Sequence, residues 1–251
     1  MLTSQRKQYI LAILQRDGHV IAKHLSQELS LSEDTIRRDL RELAHEGLLQ
    51  RVHGGALPAS PAVVNFAGRE ELSIDAKRAI GKAAALLIKD GQVVFVDGGT
   101  TAVQLARHLP QALRATIVTH SARIAVELVE HPHVEVILIG GRLFKHSIVS
   151  VGAAALAAIS AIRADIYFMG VTGIHPEAGL STGDFEEAHV KQALCKHAAE
   201  TYVLASHEKL GAASQYLVVG LSEVSGLIVD SSVAEALLLP YRALGLSIIR
   251  A

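Results

Sequence analysis

Ser32-Glu33-Asp34-Thr35-Ile36-Arg37-Arg38-Asp39-Leu40-Arg41-Glu42-Leu43 opens on a good helix N-cap and puts two acids in the first turn, at the positive end of a helix dipole. The spacing predicts a helix to Glu46, ended by Gly47. At about 100° per residue, Ile36, Leu40 and Leu43 share one side, and Arg37, Arg38, Arg41 and His45 share a second. Asp39, Glu42 and Glu46 fall on a third, so these acids do not cancel the arginines. Such a helix packs its apolar side on neighbours and offers its guanidinium side to a major groove. Taken alone, such a face is usually a solvated surface with i to i+4 pairs, such as Asp34 with Arg38.

The flanking sequence favours the first reading. Upstream lie helical patterns over about Ser4 to Arg16 and Ile21 to Leu29, separated by Asp17-Gly18. Downstream, Leu48 to Val52 and then Gly54-Gly55 read as a small β-hairpin carrying Arg51 and His53. Three helices followed by a hairpin match a winged helix-turn-helix. The candidate DNA-binding residues are therefore Ser32, Thr35, Arg37, Arg38, Arg41, Arg51 and His53. Phosphate contacts would supply affinity, and base contacts specificity.

Residues 1–57 form this candidate DNA-binding domain, and residues 58–73, with Pro58, Pro61 and small side chains, read as a linker. Residues 74–251 alternate Val- and Ile-rich runs with helical stretches, which implies an α/β domain with a largely parallel sheet. Its strands are expected at Val93–Val96, Thr116–Thr119, Val134–Ile139, Ile166–Met169 and Tyr202–Ala205. Leu227–Val229 and Ser247–Ile249 read as late edge strands.

Asp97-Gly98-Gly99-Thr100-Thr101 lies directly between a strand and a helix. Backbone N–H groups at a helix N-terminus bind anions, and glycine lets the chain approach closely. The alternative is an ordinary tight turn with a threonine cap. Gly140-Gly141-Arg142 closes another strand, and ligands in open α/β sheets collect at carboxyl ends of strands. Lys191 and Lys209 are candidates for closing on an anion.

Bulk composition narrows the classes. The chain has 251 residues, half of them hydrophobic, and a net charge of −1, so any positive surface must be local. The single cysteine, Cys195, excludes an intrachain disulfide and fits a reducing cytoplasm. It lies in an apolar helical pattern. No signal peptide or membrane span is expected. The 13 histidines form no ligand pair, so neither a metal nor another cofactor is expected.

The Thr-Ile-Arg-Arg-Asp-Leu run of residues 35–40, with Arg51-Val52-His53-Gly54-Gly55-Ala56, resembles the signature of the DeoR family of bacterial repressors. Gln5-Arg6 also fits it. From about Arg69 to Asp230 the chain resembles the family's sensor domain, itself similar to sugar-phosphate isomerases and the glucosamine-6-phosphate deaminase fold. The resemblance implies a repressor of a sugar or carbon-metabolism operon, relieved by a phosphorylated effector, and a homodimer or homotetramer. It implies that Gly98, Thr100, Thr101, Lys191 and Lys209 grip the phosphate. Asp97, Gly140 and Gly141 would shape the pocket, with Glu187 near it. Three positions depart from the family pattern: His120 for asparagine, Ser206 for aspartate and Glu208 for a small polar residue.

Two other readings are open. One is retained isomerase or deaminase chemistry in the sensor domain, for which His175 and Glu177 are the nearest acid-base candidates, though they read as turn residues. Control by a partner protein is the other.

Overall fold

The computed structural model describes residues 2–251. The N-terminal unit contains α1 (Thr3–Asp17), β1 (Val20–Ile21), α2 (Ala22–Glu28), α3 (Glu33–His45), β2 (Leu49–Val52) and β3 (Gly55–Pro58). Ile36, Leu40 and Leu43 of α3 are buried against Ile10, Ile13 and Leu14 of α1 and Leu25 of α2. The register read from the sequence is the one observed. Strand β1, absent from that reading, adds to the hairpin and gives an antiparallel order β1-β3-β2. Two residues cannot show a period. The glycines of the wing have separate reasons: Gly54 turns with φ of 79°, and a Cβ on Gly55 would lie 1.8 Å from the carbonyl oxygen of Val20.

Residues 58–73 are packed rather than free. Pro61–Val63 form a 3-10 turn, and α4 (Phe66–Glu70), capped by Asn65, follows. Pro58 accepts a backbone bond from Ala213, and Phe66 donates one to His146. Small residues and prolines signalled irregular chain, but not that this chain is docked.

The C-terminal unit continues with α5 (Ile74–Ala85), β4 (Val93–Val96), α6 (Thr100–Arg107), β5 (Thr116–Thr119), α7 (Ala122–Glu127) and β6 (Glu135–Leu138). Then come β7 (Arg142–Phe144), β8 (Val149–Val151), α8 (Ala153–Ser160), β9 (Ala164–Met169), β10 (Gly173–His175) and β11 (Gly179–Thr182). The chain ends with α9 (Phe185–Lys196), β12 (Ala198–Ala205), β13 (Tyr216–Val219), β14 (Gly226–Val229), α10 (Glu235–Ala243) and β15 (Ser247–Arg250).

Seven strands form a parallel sheet in the order β15-β14-β12-β9-β4-β5-β6. Side chains alternate between two cores: Val94 and Val96 join Ile80 and Leu105 on one face, and Phe95 joins Tyr167 and Leu194 on the other. Leu227, Ile228 and Val229 are fully buried because β15 covers β14, so of these two late strands β14 is interior and β15 is an edge. From β4 the chain winds outward through β5 and β6, then returns to the opposite side as β9. The order of winding therefore reverses between β4 and β9, where a crevice opens at the carboxyl ends of the strands.

Candidate functional site

Two candidate surfaces emerge, one on each unit. On α3, Ser32 caps the helix by accepting from the Thr35 N–H at 3.2 Å, and their hydroxyls lie 2.9 Å apart. Both are thus occupied with one another at the start of the helix. Arg37, Arg38 and Arg41 are exposed on one side, and Arg51 and His53 are exposed on the wing. Arg37 is not unopposed: its guanidinium pairs with Glu33 at 2.6 Å and with Asp34 at 3.8 Å. The pairing of Asp34 with Arg38 is not observed. Asp39 also departs from expectation. It is fully buried, not on an acidic outer face, and forms a forked ion pair with Arg6 of α1, whose second arm measures 3.0 Å. Glu42 and Glu46 take Lys7 at 3.1 and 2.9 Å.

The second site is the crevice at the β4–β9 switch. Its walls include Gly98, Gly99, Thr100 and Thr101 after β4, Gly170 to Thr172 after β9, Glu187 and Lys191 on α9, and Glu208 and Lys209. Gly99 sits at φ of 108°, and a Cβ on Gly98 would meet Val149 Cγ1 at 2.3 Å, so both glycines are required by the turn. This brings together most of the residues expected at the effector site. Gly140 and Gly141 are corrected: both are exposed and lie outside the crevice. They follow β6, the edge strand, two strands away from β4, and Gly141 packs against β8.

Asp97 lies beneath the turn rather than in the crevice. It accepts hydrogen bonds from the Gly98 and Gly170 N–H groups and the Tyr167 hydroxyl at 2.8, 2.8 and 2.7 Å. Lys191 Nζ reaches it at 2.7 Å and His120 Nε2 at 2.8 Å. Burial would raise the Asp97 pKa, but the Lys191 ammonium and the His120 hydrogen bond override it and hold the carboxyl well below the usual range. Burial likewise opposes the Lys191 charge, and Asp97 and Glu187 overcome it, so its pKa rises.

Arg69 and Lys77 also line the crevice, and the sequence reading passed over both as effector ligands. A lone cation in a linker or on a helix carries no local signal. Burial lowers the pKa of each. Burial also pushes Lys209 down, to about 8, with Lys77, Arg69 and Lys191 adding to the effect against the Glu208 carboxylate. Glu208 does not point away from the crevice. Its carboxylate accepts from Ser206 at 2.6 Å and from Ser73 at 2.7 Å.

Comparison with known proteins decides the family. Residues 6–61 match the DeoR-like helix-turn-helix domain, and residues 72–231 match the DeoR C terminal sensor domain. The chain belongs to the DeoR family of transcriptional regulators. The regulator is 35% identical over 234 residues to the HTH-type transcriptional regulator GlpR of Haloferax volcanii, covering 92% of this chain and 91% of that one. It is 31% identical over 232 residues to the glycerol-3-phosphate regulon repressor of Escherichia coli, with 92% of both covered. Among solved structures, ribose 5-phosphate isomerase A of Methanocaldococcus jannaschii aligns over 54% of each chain, with a TM-score of 0.41 and 19% identity.

The family assignment places the regulator among transcription factors rather than isomerases. The geometry of the proposed acid-base pair agrees. His175 Nδ1 accepts the N–H groups of Glu177 and Ala178 at 3.2 Å each in the β10–β11 turn, outside the crevice. Cys195 is half-buried, and its thiol contacts the Glu223 carbonyl at 3.6 Å. Among the described residues, no helix is long and apolar enough to cross a membrane.

Proposed function

We propose that the regulator is a repressor of a sugar or carbon-metabolism operon, and that a phosphorylated sugar-like effector entering the β4–β9 crevice releases it from DNA. One observation carries the effector reading. Arg69, Lys77 and Lys209 are only 9, 4 and 6% exposed and face one crevice, yet none has a carboxylate within ion-pair distance among the described residues. Their hydrogen-bond partners are carbonyls and one serine hydroxyl. Glu187 and Glu208 share the crevice but lie beyond ion-pair distance of these three cations; burying cations without a paired anion is costly, and a dianionic phosphate at the Gly98–Thr101 turn would supply one. The likeness to a glycerol-3-phosphate regulon repressor supports the same class of effector.

In this reading, Gly98, Thr100, Thr101, Lys191 and Lys209 hold the phosphate, Asp97 orients Lys191 from below, and Glu187 borders the site. Residues 1–57 bind operator DNA through Ser32, Thr35, Arg37, Arg38, Arg41, Arg51 and His53. Residues 58–73 connect them to the sensor at 74–251. A helix-turn-helix reads paired half-sites, so the working form is a homodimer or homotetramer, acting in the cytoplasm. The test is fluorescence anisotropy with the DNA upstream of its own gene against a scrambled duplex, followed by titration with sugar phosphates. Selective binding that a sugar phosphate reverses is the expected result. Equal, salt-labile binding to both duplexes overturns the proposed operator.

A further inference from the structure

We infer that the connector is itself part of the effector site, and that Arg69 ties the bound anion to the wing. This rests on the reading of the crevice as the effector site. Arg69 sits on α4, buried in the crevice wall. Its guanidinium donates to the Val64 carbonyl at 2.9 Å, inside its own segment, and to Ser147 Oγ at 3.3 Å across the crevice. Its main chain faces the same way: Lys77 Nζ donates to the Arg69 carbonyl at 2.5 Å, and Thr100 Oγ1 reaches that carbonyl at 3.5 Å.

The other end of the same short run reaches the wing. Pro58 is the last residue of β3, and its carbonyl takes the Ala213 N–H at 3.1 Å. Two residues on, Ser60 is buried and its hydroxyl donates to the carbonyl of Thr172, a residue of the crevice wall. Ala62 lines the crevice as well. A phosphate takes an arginine by a planar fork. An anion at the Gly98–Thr101 turn therefore competes with the Val64 carbonyl for the same donors. A tie within the connector is exchanged for a tie to the ligand. That exchange gives the effector a different free energy in two connector arrangements, as coupling to DNA affinity requires.

The test uses the full chain with inorganic phosphate as the probe, by calorimetry and amide hydrogen exchange. In the wild type, phosphate is expected to slow exchange over residues 98–101 and to change it over residues 55–69. Arg69→Gln is expected to bind phosphate about tenfold more weakly and to show no change in the connector at saturation. Ser60→Ala is expected to keep wild-type phosphate affinity while the change no longer reaches residues 55–57 of the wing. Should Arg69→Gln fail to fold, wild type and Ser60→Ala decide the matter. Protection of residues 98–101 with unchanged exchange over 55–69 overturns the inference and leaves the crevice reading standing. So does undiminished phosphate affinity in folded Arg69→Gln. Absence of both binding heat and protection in the wild type overturns the crevice reading, and the inference with it.

Discussion

Asp97 and His120 are joined by a 2.8 Å hydrogen bond between Oδ1 and Nε2, and neither side chain reaches solvent. The other ring nitrogen of His120 lies 3.0 Å from the Ser150 carbonyl. A neutral ring donates to one of these acceptors and not to the other. Asp97 thereby joins β4, the turn after β5, the start of the β9 loop and α9 into one buried hub beneath the phosphate turn.

Asp97→Asn is expected to destabilise the sensor domain by about 2–3 kcal/mol, because it leaves Lys191 beside a neutral amide with Glu187, at 3.1 Å, as its one carboxylate partner. The wild type should also lose stability on acidification. The folded pKa of Asp97 is depressed by Lys191 and His120. Its contribution is thus complete above the unfolded value of about 3.9 and declines as the pH falls below it toward the folded value. Urea titrations at several pH values check both points. An unchanged midpoint in Asp97→Asn at neutral pH would remove the hub from the argument.

Asp39 makes a similar demand on the N-terminal unit. Its fully buried carboxylate has Arg6 as its ion-pair partner, which pins α1 across α3. Asp39→Ala should cost about 3–5 kcal/mol by leaving the Arg6 guanidinium buried and unpaired. The double variant Arg6→Met with Asp39→Leu should recover most of that loss. Thermal melts of the single and double variants report the difference. Equal melting temperatures for Asp39→Ala and wild type would show that the pair does not hold the helices.

These two acids mark what was legible in the sequence. The face of α3 holding Ile36, Leu40 and Leu43 was readable because three apolar residues repeat at helical spacing, and the strand-turn-helix at Asp97–Thr101 because glycine and threonine punctuate an apolar run. Asp39 was misplaced because a helical wheel gives direction, not depth, and its partner Arg6 lies 33 residues away. Gly140 and Gly141 looked like a second phosphate turn because sequence shows that a strand ends there, but not that β6 is the sheet edge. Arg69 and Lys77 enter the crevice only when α4 packs on α6 and α5 packs on α6, β12 and β14, a long-range event that no local pattern records.

On α3, Arg38 and Arg41 form no ion pair among the described residues, whereas Arg37 is held by Glu33 at 2.6 Å. Arg38→Ala or Arg41→Ala should weaken operator binding by about ten- to a hundredfold if each reads a base edge. Arg37→Ala should cost less, because Arg37 must first leave Glu33. Glu33→Gln should therefore tighten binding. Anisotropy titrations over a range of salt concentrations separate the roles, since loss of a phosphate contact lowers the salt slope by about one and loss of a base contact does not. Arg38 and Arg41 variants that bind as the wild type does would move the recognition surface off this face.

Lys209 sets the last expectation. Burial lowers its pKa to about 8, and Lys77, Arg69 and Lys191 push the same way. A bound anion favours the ammonium. Below about pH 8 the proton is already in place, and binding takes none up. Above it the free protein has lost the proton, so binding must recover it, and affinity should fall by up to about tenfold per pH unit. A phosphate monoester becomes a dianion above about pH 6, so affinity should peak between the two values. Lys209→Gln should bind more weakly at neutral pH and lose the upper limb of this profile while keeping the lower one. Calorimetry in buffers of different ionisation enthalpy counts the protons directly. A wild type that takes up no proton on binding at pH 8.5, roughly half a unit above the Lys209 value, would show that this ammonium does not meet the phosphate.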